Sequence, residues 1–138
     1  MTKILSVGGS IIVPEKPDTT FLSEFVSMCI SWLKSDKNNR LILVAGGGAP
    51  ARVYQNAYNE VSEKTGLGAQ ANSADWIGIM ATRINAQLLK ACFGDYCKND
   101  VVYNPTAENL AFDGQVLVAS GWKPGFSTDT DAVYLGEK

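Results

Sequence analysis

The sequence predicts an α/β fold, a mainly parallel sheet flanked by helices, in one domain spanning residues 1–138. Three observations carry that expectation. Two short apolar runs occur, Ile4–Val7 and Leu41–Val44, and the second is continuous rather than alternating, as in a strand buried on both faces. Each run ends in glycines, Gly8–Gly9 and Gly46–Gly48. Longer segments with apolar residues at helical spacing follow both, so strand and helix alternate along the chain.

The first strand, Ile4–Val7, is expected to be buried. After Pro14 and Pro17, Thr19 or Thr20 is placed to cap a helix running to about Lys37, with Phe21, Leu22, Phe25, Met28, Cys29, Trp32 and Leu33 at helical spacing. Asn38 and Asn39 stop it, and Leu41–Val44 forms the second strand. Pro50 suits the first turn of a second helix, where its missing N–H costs nothing. That helix covers about Ala51 to Lys64 and stops near Gly66 and Gly68. A third begins after Asn72 or Ser73 and runs to Gly94, a glycine suited to a helix C-terminus. Val101–Tyr103 and Gln115–Ala119 read as further strands, and a last helix starts at Thr130.

Composition narrows the chemistry. Twelve Lys and Arg against fourteen Asp and Glu give a formal charge of −2, so neither a nucleic-acid nor a membrane-surface partner is expected. Histidine is absent, which removes His-based triads, His zinc sites and imidazole acid–base catalysis. The cysteines Cys29, Cys92 and Cys97 form no CxxC pair. Cys29 and Cys92 lie in apolar segments and read as buried thiols of a reducing compartment, so the cytoplasm is the expected location. No apolar stretch approaches the roughly 20 residues that cross a bilayer.

In a parallel α/β sheet ligands bind beyond the carboxyl ends of the strands, and glycines there let the backbone approach them. Gly8, Gly9, Gly46, Gly47 and Gly48 therefore either make tight turns only or also cradle an anion. Arg52, four residues past the triplet, could grip a phosphate with two parallel hydrogen bonds. Gly46 to Ala51 also matches G-x-G-x-x-A, but Thr65 to Ser73 lacks the acidic ribose partner, and no P-loop pattern occurs. On the third helix Asp75, Gly78, Thr82 and Asn85 fall within an arc of roughly 80°. Ile77, Met80, Ile84 and Leu88 form a separate apolar stripe, expected to face the core. Asp75, expected in the first turn, either binds sugar hydroxyls or complements the helix dipole, Gly78 leaves room for a ligand, and Thr82 and Asn85 either line the site or face water. Ser127 and Thr128 either cap the last helix or hold a phosphate or base, beside Lys123.

Four segments, SVGGSII, LILVAGGGAPARVY, DWIGIMATRINAQLL and GWKPGFSTDTDAV, resemble the amino acid kinase superfamily, and within it the archaeal-type uridylate (UMP) kinases. They fall in the family's order over nearly the whole chain. The resemblance implies an α/β sandwich in which UMP and ATP meet across the carboxyl edge of the sheet, with Mg arriving on ATP. It implies that Gly46, Gly47, Gly48 and Arg52 hold the UMP phosphate, that Asp75 binds the ribose, and that Gly78 and Asn85 shape the wall behind the nucleotide. Thr128, in the loop 125–130, would contact the uracil and phosphate side, and Gly8, Gly9 and Ser10 would approach the phosphates in transfer. Phosphoryl transfer relies on positioning and charge neutralisation, which suits a chain without histidine. A homo-oligomer is expected, because the family commonly assembles into dimers or rings.

Two departures shape the expectation. Ser6 and Ser10 stand where family members carry lysines that neutralise the moving phosphoryl group. The chain also matches the acceptor half, while the ATP base site belongs to a further portion of the family fold, so this chain alone is expected to bind UMP without turnover. Two other readings remain open: a non-catalytic nucleotide-binding or regulatory module on the same fold, and a kinase of a carboxylate or carbamate acceptor.

Overall fold

The computed structural model describes residues 1–104 and 112–124. Thr128 and the helix expected from Thr130 lie outside them. Strand β1 (Thr2–Val7) leads through a short helix α1 (Gly9–Ile12) to α2 (Thr19–Ser35), then β2 (Arg40–Ala45), α3 (Gly48–Thr65), α4 (Ala71–Phe93) and β3 (Val116–Ala119). The sheet order is β1-β2-β3 and every pairing is parallel, with Thr2 opposite Arg40, Val7 opposite Ala45, and Leu41 opposite Val116. The α/β class and the parallel sheet are as the alternation of apolar runs and helical segments implied.

The helix ends show why these residues fold as they do. Asp18 caps α2, its carboxylate accepting the Phe21 N–H at 3.0 Å. Thr19 and Thr20, the expected caps, lie inside the helix instead. Helix α3 starts at Gly48, three residues before the expected Ala51, so Pro50 sits in its first turn as its chemistry favours. Gly66, at φ +74°, closes α3 in the left-handed conformation. Helix α4 starts at Ala71, and its entry is pinned to α3 where the Tyr58 hydroxyl accepts the Gln70 N–H at 3.0 Å. That bond leads the effects holding the Tyr58 phenol below its ordinary pKa. Val101–Tyr103 contributes one parallel bridge, Val102 to Ala119, rather than a full strand.

Residues of β2 and β3 alternate between the two faces of the sheet. Leu41, Leu43, Ala45, Val116 and Val118 join the main core with Leu22, Leu33, Ala86, Leu89 and Phe93 of the covering helices. Ile42, Val44, Leu117 and Ala119 form a thinner layer with Val102 and Phe112. At the amino end of the sheet Gln115 Nε2 donates to the carbonyls of Leu33, Asp36 and Asn39, tying the end of α2 to β3. Two expectations fail here. Thr2 to Ser6 of β1 are exposed, because among the described residues β1 is an edge strand and β2 alone pairs with it. Cys92 is also exposed, while Cys29 and Cys97 are buried, because Cys92 falls on the outer side of the last turn of α4.

Candidate functional site

The carboxyl ends of the three strands bring the glycine turns together. Gly46 donates its N–H to the Val7 carbonyl at 3.0 Å, which continues the β1–β2 ladder into the turns. Beyond it the chain passes so close to Gly9 that a Cβ on Gly9 would collide with the Gly46–Gly48 backbone, and one on Gly46 would lie 2.6 Å from the Gly9 nitrogen. Gly48 adds a positive φ of +67°. Only glycine meets both demands, a close approach of two backbones and a left-handed residue. Gly8, Gly9, Gly46, Gly47 and Gly48 are thus one cluster in space, as their place after β1 and β2 implied.

Helix α4 supplies the wall of that cluster. Asn85 is 4% exposed, and its Nδ2 donates to the carbonyls of Gly46 and Gly47, both at 2.9 Å. Thr82, 8% exposed, donates its hydroxyl to the Ile79 carbonyl at 2.6 Å and accepts the Gly121 N–H at 2.7 Å. Thr82 and Asn85 are therefore turned inward onto the strand ends and do not face water, whereas Asp75 of the same stripe is exposed. Of the apolar stripe, Leu88 packs against the main core and Ile77 is partly buried. Met80 is 48% and Ile84 66% exposed, contrary to the expectation that this stripe faces the core. With Trp76, Pro50 and Tyr54 they line an open, mainly apolar groove of about 890 Å³ on the flank of α3 and α4. Asn85 also lines this groove, but none of the five glycines, Arg52 or Asp75 does. The turns, where the backbone polar groups converge, carry the stronger chemical argument.

The other predicted residues are placed as follows. Arg52 is exposed in α3, four residues beyond Gly48. Asp75 is exposed in α4, and because that helix begins at Ala71 it lies past the first turn, which removes the helix-dipole reading. The space beside Gly78 is taken by Gln55, since a Cβ there would sit 2.7 Å from Gln55 Nε2. That amide instead donates to the Ala74 carbonyl at 2.9 Å, so Gly78 serves the packing of α3 on α4. Ser10 is exposed in α1 and Ser6 lies in β1. Sequence reasoning passed over Gln55 and Arg83. The Arg83 guanidinium stacks 4.8 Å from the Tyr103 ring and reaches the Trp122 carbonyl at 3.5 Å, fastening α4 to the segments on either side of β3. Its one legible signal was a cation on an otherwise apolar stretch of helix.

The profile of the amino acid kinase family matches residues 1–138. The chain belongs to the amino acid kinase family. It is 35% identical over 136 residues to the uridylate kinase of Methanoculleus marisnigri, covering 97% of this chain and 53% of that protein. To the uridylate kinase of Methanobrevibacter smithii it is 35% identical over 138 residues, 99% of this chain and 57% of the relative. The crystal structure of uridylate kinase from Archaeoglobus fulgidus superposes with a TM-score of 0.76 at 32% identity, over 97% of this chain and 56% of that one. The chain thus spans about half the length of the relatives it matches. Among the described residues no helix is long and apolar enough to cross a membrane.

Proposed function

We propose that this chain forms the acceptor-nucleotide portion of a uridylate-kinase-type phosphotransferase, and that the whole protein moves the γ-phosphoryl group of ATP to UMP, giving UDP. The observation that carries the reading is the inward-facing pair Thr82 and Asn85 of α4. Asn85 and Thr82 hold the turns after β2 and β3 in fixed geometry, at the sheet edge where α/β folds bind ligands. The turn of Gly46, Gly47 and Gly48 would receive the UMP phosphate, Arg52 would neutralise it from α3, and Asp75 would accept hydrogen bonds from the ribose. Gly8, Gly9 and Ser10 would face the phosphoryl group in transfer.

ATP with Mg supplies that group when bound. Among the described residues no cluster of three or more Asp, Glu, Cys or His could hold a metal ion, so no step is assigned to Mg here. Ser6 and Ser10 contribute hydroxyls and no cation. The neutralising charge on the acceptor side is then that of Arg52, and binding is the step these residues serve.

Calorimetric titration of the 138-residue chain with UMP, 2′-deoxy-UMP, AMP and N-acetylglutamate tests this. UMP is expected to bind in preference to the others. Arg52→Ala is expected to weaken it by about tenfold or more, the size of a lost charge-assisted hydrogen bond. Asp75→Ala is expected to erase the preference for UMP over its 2′-deoxy form. Preference for N-acetylglutamate would move the acceptor to a carboxylate, and no binding at all would favour a degenerate or regulatory domain.

A further inference from the structure

A run of three glycines has little preferred conformation of its own, so something outside it must decide which way its peptide groups point. Here the Gly46 N–H is held by the Val7 carbonyl, Gly47 caps α3, and one side chain adds two further anchors. Asn85 has two amide hydrogens, and its Nδ2 is bonded to two consecutive carbonyls, those of Gly46 and Gly47. No peptide bond among the described residues is cis. In a planar trans unit the N–H points opposite to the C=O. Fixing the Gly46 and Gly47 carbonyls toward α4 therefore turns the N–H groups of Gly47 and Gly48 away from that helix.

We propose that Asn85 is a positioning residue. It holds the two carbonyls inward and so presents the Gly47 and Gly48 N–H groups to the acceptor phosphate. The inference rests on the reading that UMP binds with its phosphate at this turn. Without the amide, either peptide unit can rotate and bring a carbonyl oxygen to face a dianion, replacing attraction by repulsion. The anchor itself does not drift. Asn85 lies within α4, and Thr82, three residues before it, is bonded to both Ile79 and Gly121. An aspartate at 85 would set a carboxylate against two carbonyls, and a leucine would keep the approximate shape while removing both donors.

The test compares UMP with uridine, which shares everything but the phosphate. For the wild-type chain UMP is expected to bind more tightly than uridine. In Asn85→Leu that ratio is expected to fall by about tenfold or more, with uridine affinity held within about twofold, as loss of oriented donors to a charged group requires. A ratio left intact overturns the inference, and so does an equal fall for both ligands, which would make Asn85 a packing residue only. A wild-type chain without UMP affinity overturns the nucleotide reading and this inference with it. A second measurement needs no variant. In ¹⁵N-labelled wild type the Gly47 and Gly48 amide protons are expected to move downfield with UMP and not with uridine, and equal shifts with both ligands would overturn the proposal.

Discussion

Asn85 and Thr82 are polar residues that the core accepts because each hydrogen bond they lose to water is replaced by a backbone group of the sheet edge. Their role was half legible. The helical spacing grouped them with Asp75 and Gly78, but their partners are backbone atoms of Gly46, Gly47 and Gly121, which no side-chain pattern displays. The cysteines show the same limit at another position. Cys29 and Cys92 look alike in sequence, yet one is buried and the other is exposed. Maleimide labelling of the native chain is therefore expected to modify Cys92 rapidly, with Cys29 and Cys97 reacting only after denaturation. Burial raises the pKa of both inner thiols, and at Cys97 the nearby Lys90 charge partly offsets it. A thiol that ionises less readily when folded leaves the unfolded chain with fewer protons at alkaline pH. Stability is thus expected to fall as pH climbs through the ordinary thiol range, and urea titrations across that range would show it.

Helix α4 is where pattern and structure part most clearly. Periodicity separated its two stripes, but the inner face takes part of each, Thr82 and Asn85 from one and Leu88 from the other. The inner face is fixed by Ile79, Ala86, Leu89 and Phe93 together with the two polar anchors, and the stripe of Met80 and Ile84 is left on the groove side. Ile84→Gln is accordingly expected to change stability by no more than about 0.5 kcal/mol, as for an exposed position. Leu89→Ala is expected to cost about 2–5 kcal/mol through the cavity it leaves. Chemical denaturation of the two variants side by side checks the orientation of the whole helix. Elsewhere the elements were readable wherever backbone chemistry leaves a mark in the sequence, as with Pro50 at the start of α3 and Gly66 and Gly94 at helix ends. Helix α1 was not readable, because four residues are too few to show a period.

For the molecule as a whole, the alternation of runs and glycines was enough to imply a parallel α/β sheet, but not which strand would lie at its edge. A short, mainly apolar run looks much the same in a central strand as in β1, where Ile4 and Leu5 are exposed and Lys3 extends over the Trp32 ring of α2 at 4.6 Å. An apolar edge strand is open to pairing with further chain. Concentration-dependent association of this 138-residue chain is expected, and sedimentation across a range of concentrations would detect it. The parallel pairing has a consequence in time as well. No hairpin can seed this sheet: Thr2 must find Arg40, and Leu41 must find Val116, before either ladder contributes a bond. Long loops close first and are rewarded afterwards, which places refolding in the millisecond-to-second range rather than among the fast helical folders. Gly9 meets Gly46–Gly48 only when β1 and β2 are in register, so during refolding the capacity to hold a nucleotide is expected to return with the sheet and not before it.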